Sequence, residues 1–159
     1  DAFFAGFYLN EILLRLCPLE EAMLRTFEQY QLTLLQLQQL ASHESAALFL
    51  RQILRQFEHV LLQELGYAID FSVDASQQEI LPLQHYQFQL NDGFIPVAQA
   101  SRSTIPGSLI ATMQSYQDEQ DFSHEQLRLL GKLYRQMISS LLGDRPLKSR
   151  QLWIQNTQT

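Results

Sequence analysis

Apolar residues recur at helical spacing along most of this chain. The first such run covers Ala2 to Leu16, and Pro18 closes it. A second runs from Leu19 to Leu40. Leu24, Phe27, Leu34 and Leu37 supply much of its apolar stripe, and glutamines fill the wet side. A loop around Ser42 and His43 separates it from a third helix, expected over Glu44 to Leu65. There Leu50, Ile53, Leu54, Phe57, Val60, Leu61 and Leu65 return every three or four positions, and Gly66 follows where a C-terminal cap belongs.

Helical period is lost over 67–83. Next comes the pattern of a short hairpin: Gln84 to Leu90, a turn at Asn91-Asp92-Gly93, then Phe94 to Val97. Pro82 and Pro96 keep these strands short or at an edge. Pro106 can open a fourth, short helix to about Tyr116, and an acidic loop follows over Asp118 to Asp121. Ser123 and Gln126 have the spacing of a capping box. It starts a fifth helix, His124 to Leu142, ending at Gly143. Asp144 can cap a last helix beginning near Pro146. The expected fold class is mainly α: an irregular helical bundle of five to six helices with one short β-hairpin insert. One domain is expected over 1–159, with the insert at about 84–97.

The 159 residues are 46% apolar, enough to build a core, and few are Pro or Gly. No run of about 18 apolar residues could span a membrane. Phe3 to Leu16 is interrupted by Asn10, Glu11 and Arg15, and it lacks the features of a signal peptide. The opening without Met suggests a piece of a longer protein. Cys17 is the single cysteine, which excludes an intrachain disulfide and a cysteine-based zinc site and suits a reducing compartment.

Net charge is −6 but uneven. Residues 1–127 carry five Arg and sixteen acids, whereas 128–159 carry six basic residues and one acid, Asp144. The basic set is Arg128, Lys132, Arg135, Arg145, Lys148 and Arg150. The first three share a helix face, and such a cluster can engage phosphates without reading sequence. A solvated helix face is the plainer reading. Trp153 nearby offers a stacking surface, or serves as a core anchor.

Catalytic signatures are missing: no phosphate-binding glycine loop, no nucleophile elbow and no zinc-protease histidine pair. His43, His59, His85 and His124 are scattered. Adjacent residues on a helix, such as Glu20-Glu21, point apart, and an acidic loop pair such as Asp118-Glu119 is usually solvated; neither resembles a positioned acid and base. Cys17 reads as a structural thiol. No cofactor, no metal and no enzymatic activity are expected. One further constellation is of interest. Arg51, Arg55 and His59 lie four apart on one face of the third helix, beside its apolar stripe. Guanidinium groups at an apolar edge can hold a carboxylate while the groove takes a side chain. The plainer alternative is surface pairing of Arg55 with Glu58.

Three segments resemble the family of the bacterial recombination mediator RecO. The first is Gly6-Phe7-Tyr8-Leu9-Asn10-Glu11-Ile12-Leu13, similar to the opening of that family's helical domain. The second is Leu54-Arg55-Gln56-Phe57-Glu58, continuing through Leu61-Leu62 to Leu65-Gly66-Tyr67. The third is Pro146-Leu147-Lys148-Ser149-Arg150. Their order and spacing agree with the family over 6–150.

The resemblance implies DNA repair and recombination in the bacterial cytoplasm, at the nucleoid during repair. It implies docking of the C-terminal tail of single-stranded-DNA-binding protein (SSB), loading of RecA together with RecR, and strand annealing. An N-terminal OB-fold domain would be absent from this chain, so binding to single- and double-stranded DNA is expected to be weak. Arg55 would meet the tail's carboxylates. Leu54, Phe57 and Leu61 match neighbouring apolar positions, and Arg51 and His59 join by helical spacing. Lys148 and Arg150 match the C-terminal segment as phosphate contacts. Some members carry a four-cysteine zinc module, but 67–105 contains no cysteine, and the hairpin is expected in its place. A helical protein-interaction adaptor unrelated to DNA is the competing reading.

Overall fold

The computed structural model describes residues 2–115, 121–143 and 145–157. Among them are six α-helices and a small three-stranded antiparallel sheet, so the mainly α class and the hairpin insert stand. The chain divides into two compact units. One comprises Asp1–Ala68 with Ile138–Thr159, the other Ile69–Met137.

The first unit contains α1 (Ala2–Leu16), α2 (Leu24–Gln38), a 3-10 turn (Leu40–Ser42), α3 (Ala46–Glu64) and α6 (Lys148–Thr157). Ala5, Leu9 and Ile12 form the buried stripe of α1. On α3 the buried apolar positions are Leu50, Ile53, Leu54, Phe57, Leu61 and Leu62. The spacing of three and four sets them on one face, so both helices fold by covering that face. Gly66 ends α3 in the left-handed region, at φ 87. Its N–H donates to the Gln63 carbonyl at 3.0 Å, and that of Tyr67 to Leu62 at 2.8 Å. This is the paired-bond stop that a glycine makes cheap.

The second helix starts five residues later than its apolar pattern suggests, at Leu24 and not Leu19. No side chain near Met23 caps it. The cap comes from Glu64, at the far end of α3. Its carboxylate accepts the Thr26 N–H at 2.7 Å and the Arg25 N–H at 3.3 Å. A tertiary partner therefore sets the boundary, satisfying amides that would otherwise be orphaned.

The second unit holds β1 (His85–Gln89), β2 (Gly93–Val97), β3 (Ile105–Pro106), the short helix α4 (Gly107–Ala111) and most of α5 (His124–Leu142). Strand order is β2-β1-β3. The hairpin register pairs Phe88 with Phe94 and Gln89 with Gly93. Tyr86 and Phe88 turn inward with the period of two that the sequence shows. The strand β3 was not foreseen, because two residues carry no periodicity. The fourth helix is also shorter than expected: after Ala111 the bonding changes to i→i+3, as in Met113 to Ile110 at 3.0 Å. Its expected end at Tyr116, most of the acidic loop and the Asp144 cap lie outside the described residues. The capping box of α5 forms as foreseen. The Ser123 N–H donates to Gln126 Oε1 at 2.8 Å, and the Gln126 N–H to Ser123 Oγ at 3.2 Å.

Gly107 is buried against the loop that leads into β1. A Cβ there would stand 2.0 Å from the Leu81 carbonyl oxygen, a backbone atom with little room to yield. Gly107→Ala is expected to cost roughly 1–3 kcal/mol, the usual range for overpacking. Urea unfolding checks this; a midpoint matching the parent chain would show that the loop relaxes freely.

Candidate functional site

The cationic face of α3 is partly engaged by the fold. Arg51 is exposed, whereas Arg55 and His59 are half-buried. Arg55 Nη2 donates to Glu58 Oε1 at 2.8 Å. This is the anticipated i,i+3 pair, but it is no surface pair: the Glu58 side chain is only 2% exposed and that of Arg55 17%. The Tyr8 hydroxyl of α1 donates to the same Glu58 oxygen. Arg55 Nε is buried and has no hydrogen-bond partner. The guanidinium thus has one edge tied to Glu58 and a donor left over.

The apolar members of this candidate site are placed deeper. Phe57 and Leu61 are 0% exposed and Leu54 8%. They build the floor beneath the arginine face and belong to the core of the first unit. Their burial leaves Arg51, Arg55 and His59 as the members that reach or approach solvent.

The C-terminal cations Arg145, Lys148 and Arg150 are exposed. Their positions follow from how α6 is anchored. Glu11 of α1 accepts the Lys148 N–H at 2.8 Å, the Ser149 N–H at 2.9 Å and the Ser149 hydroxyl at 2.7 Å. A carboxylate thereby caps the first turn of α6 from another helix. Arg15, one turn after Glu11, donates to the carbonyls of Arg145 and Pro146 and lies 3.5 Å from Glu11. Partial burial pulls the Glu11 pKa upward. The donors from Ser149 and Lys148, with the charge of Arg15, outweigh it and leave the group below its ordinary 4.5. Trp153 lies 6.0 Å from the Phe4 ring, so it serves as an anchor of α6 on α1.

The three sequence segments singled out earlier therefore meet around one helix. Tyr8 and Glu11 come from the first, Glu58 from the second, and Lys148 and Ser149 from the third.

Arg128, Lys132 and Arg135 are exposed on the part of α5 that lies in the second unit. The cations of α6 belong to the other unit. Arg128 and Lys132 line a groove of about 780 Å³, while Arg135 is not part of its lining. Arg102, from the loop before β3, lines the same groove. Nothing in the sequence marked Arg102: it is a single cation in a Ser/Thr stretch, 26 positions before Arg128. Lys132 Nζ donates to the Ser103 carbonyl, which ties that loop to α5.

Cys17 is half-buried, and burial, then the Glu64 carboxylate, pushes its thiol above the ordinary 9.0. That direction is opposite to thiolate activation. Among the described residues no group of three His, Cys, Asp or Glu side chains gathers as metal ligands. None of the described helices is long and apolar enough to cross a membrane.

A family model described as the C-terminal part of recombination protein O matches residues 1–151. A protein of Cellvibrio japonicus named DNA repair protein RecO is 38% identical over 157 residues, covering 96% of this chain and 62% of its own length. A protein of the same name from Pseudomonas aeruginosa is 35% identical over 160 residues, covering 100% of this chain and 64% of its own. One from Thiobacillus denitrificans is 38% identical over 156 residues. The chain spans somewhat less than two thirds of the length of these curated relatives.

The depressed pKa of Glu11 gives a signed expectation. A carboxylate held lower in the folded state stabilises the fold above its unfolded value of 4.5, and that stability is lost as pH falls through the folded value. Glu11→Gln is expected to cost about 1 kcal/mol at neutral pH, typical of a lost helix cap. The gap to the parent chain should be smaller at an acidic pH below the folded value, where both side chains are neutral. Urea titrations at the two pH values check this; a gap that does not narrow would remove the charge from the account.

Proposed function

The chain belongs to the family of the recombination protein O C-terminal part, and from that membership we propose that it serves DNA repair as the helical adaptor of a recombination mediator. Its occupation is docking, not catalysis. The relatives it matches are named DNA repair proteins, which supports the biological setting. The cytoplasm is the proposed location.

The proposed partner at α3 is the acidic, apolar C-terminal tail of SSB. The observation that carries this is the state of Arg55: a guanidinium held by buried Glu58 whose side chain stays 17% exposed. An incoming carboxylate adds a charge-assisted bond at that exposed part. Arg51, exposed one turn earlier, adds a second positive charge at the edge, and His59 flanks the site one turn later. Leu54, Phe57 and Leu61 hold the face in place from below. RecR is the proposed co-partner in RecA loading.

Contact with nucleic-acid phosphates is proposed for Lys148, Arg150 and Arg145 in the first unit, and for Arg128, Lys132 and Arg135 in the second. All six are exposed, which a phosphate contact requires. The formal charge of −6 opposes a long polyanion, so this affinity is expected to be weak and to fall steeply with salt. Docking a tail and touching the strand weakly suit each other, because tethering raises the local concentration of the second contact.

Fluorescence anisotropy of a labelled SSB tail peptide tests the α3 reading. Arg55→Ala leaves buried Glu58 without its cation, so loss of binding by that variant alone could reflect damage to the fold. Arg55→Lys, which keeps the charge but loses the planar fork, and Arg51→Ala, at an exposed position, separate the two. Saturable binding that weakens about tenfold in Arg55→Lys, as expected for one lost charge-assisted bond, supports the docking site. Unchanged affinity in both variants, with folded protein, moves the tail away from α3.

A further inference from the structure

The second unit is acidic by sequence. It carries eight acidic residues against four basic ones, Arg102, Arg128, Lys132 and Arg135. Three of those four cations line one groove. Such clustering against the local balance is a focus of positive potential on an otherwise negative body. No ion pair among the described residues involves Arg102, Arg128 or Lys132. All three are exposed, and of the acids only Glu125 shares the lining.

The rest of the lining says what kind of anion fits. Pro106 of β3 and Leu109 of α4 give the groove an apolar side, and Ile105 and Leu129, each 3% exposed, are buried behind it. None of the lining residues is aromatic. A single strand of nucleic acid is normally held by bases stacked on aromatic rings, along a basic track. Here the rings are absent, and a strand running past the groove would meet the unit's net negative charge. A short peptide avoids both difficulties. Its carboxylates meet the three cations, and one apolar side chain rests on Leu109 and Pro106.

We propose that this groove, formed by the loop before β3, α4 and α5, is a second docking site for a short acidic segment of a partner protein that carries an aliphatic or aromatic side chain beside its carboxylates. The site is separate from the α3 face and does not depend on the reading given to Arg55. Arg102 is its third cation. For Arg128 and Lys132 this replaces the phosphate contact proposed above, and strand binding is the competing outcome of the test.

The probe is a labelled eight-residue peptide of aspartates with one central leucine, titrated into the full chain carrying Arg55→Lys so that the α3 face is weakened. Methyl NMR signals of Ile105, Leu109 and Leu129 report on the groove directly. Expected are saturable shifts of these methyls, absent with the asparagine version of the peptide. The double variant Arg102→Ala/Lys132→Ala should reduce affinity about tenfold or more, as loss of a charge-assisted contact implies, while Arg135→Ala leaves it unchanged. The methyl spectrum of the double variant without peptide shows whether the unit is intact. Methyls that stay still in the parent groove overturn the proposal. So does an oligonucleotide of eight thymidines that shifts the same methyls and displaces the peptide at lower concentration, since the groove would then be a strand contact.

Discussion

The arrangement of the first unit depends on the polar side of α1. Its apolar stripe, Ala5, Leu9 and Ile12, packs by area and has no direction of its own. Direction comes from Tyr8, Asn10, Glu11 and Arg15. Tyr8 donates to Glu58 on α3, and Asn10 accepts the Tyr30 hydroxyl of α2 at 2.6 Å. Glu11 caps α6, and Arg15 holds the carbonyls that precede it. One helix thereby fixes the register of three others by hydrogen bonds whose partners are specific. Glu11 and Lys148, 137 positions apart, are brought together by these contacts, so the ordering entropy they offset is that of a long loop.

The same network explains why the arginine of α3 is suited to a ligand and yet expensive to remove. A buried carboxylate such as Glu58 needs its charge compensated, and Arg55 and Tyr8 supply part of that. The pairing holds Arg55 against Glu58 at 2.8 Å with 17% of its side chain exposed. Preorganisation of this kind lowers the entropy lost when a carboxylate arrives. Arg51, exposed and in no ion pair among the described residues, has the opposite character: cheap to replace, long in reach, loosely held.

Much of this was legible beforehand, and the exceptions have a common cause. Helices α1, α3 and α5 carry strong periods of three and four, and the stops at Pro18 and Gly66 and the start at Ser123 lie in the sequence itself. The hairpin was readable from alternation around Tyr86 and Phe88 and a turn at Asn91-Asp92-Gly93. What escaped is what is made between distant residues. The start of α2 waits for Glu64, the burial of Glu58 depends on Tyr8, and Arg102 becomes one of a cluster only when β3 and α5 are side by side. Spacing found Arg51, Arg55 and His59 together. It could not tell that Leu54, Phe57 and Leu61, on the same helix, would be fully committed to the core.

The basic end of the chain shows the limit of reading charge along one dimension. From Arg128 to Arg150 the cations look like one continuous patch. In the fold, α5 passes from one unit to the other after Met137, and the cations divide with it. Arg128 and Lys132 join Arg102 at an aliphatic groove. Lys148 and Arg150 stand on a helix whose own N-terminus is already satisfied by a carboxylate. An anion approaching α6 therefore finds side-chain charge but the Lys148 and Ser149 amides already taken by Glu11, whereas one approaching the groove finds three cations and an apolar wall. Equal formal charge gives unequal recognition, because specificity comes from what surrounds each cation and not from how many there are.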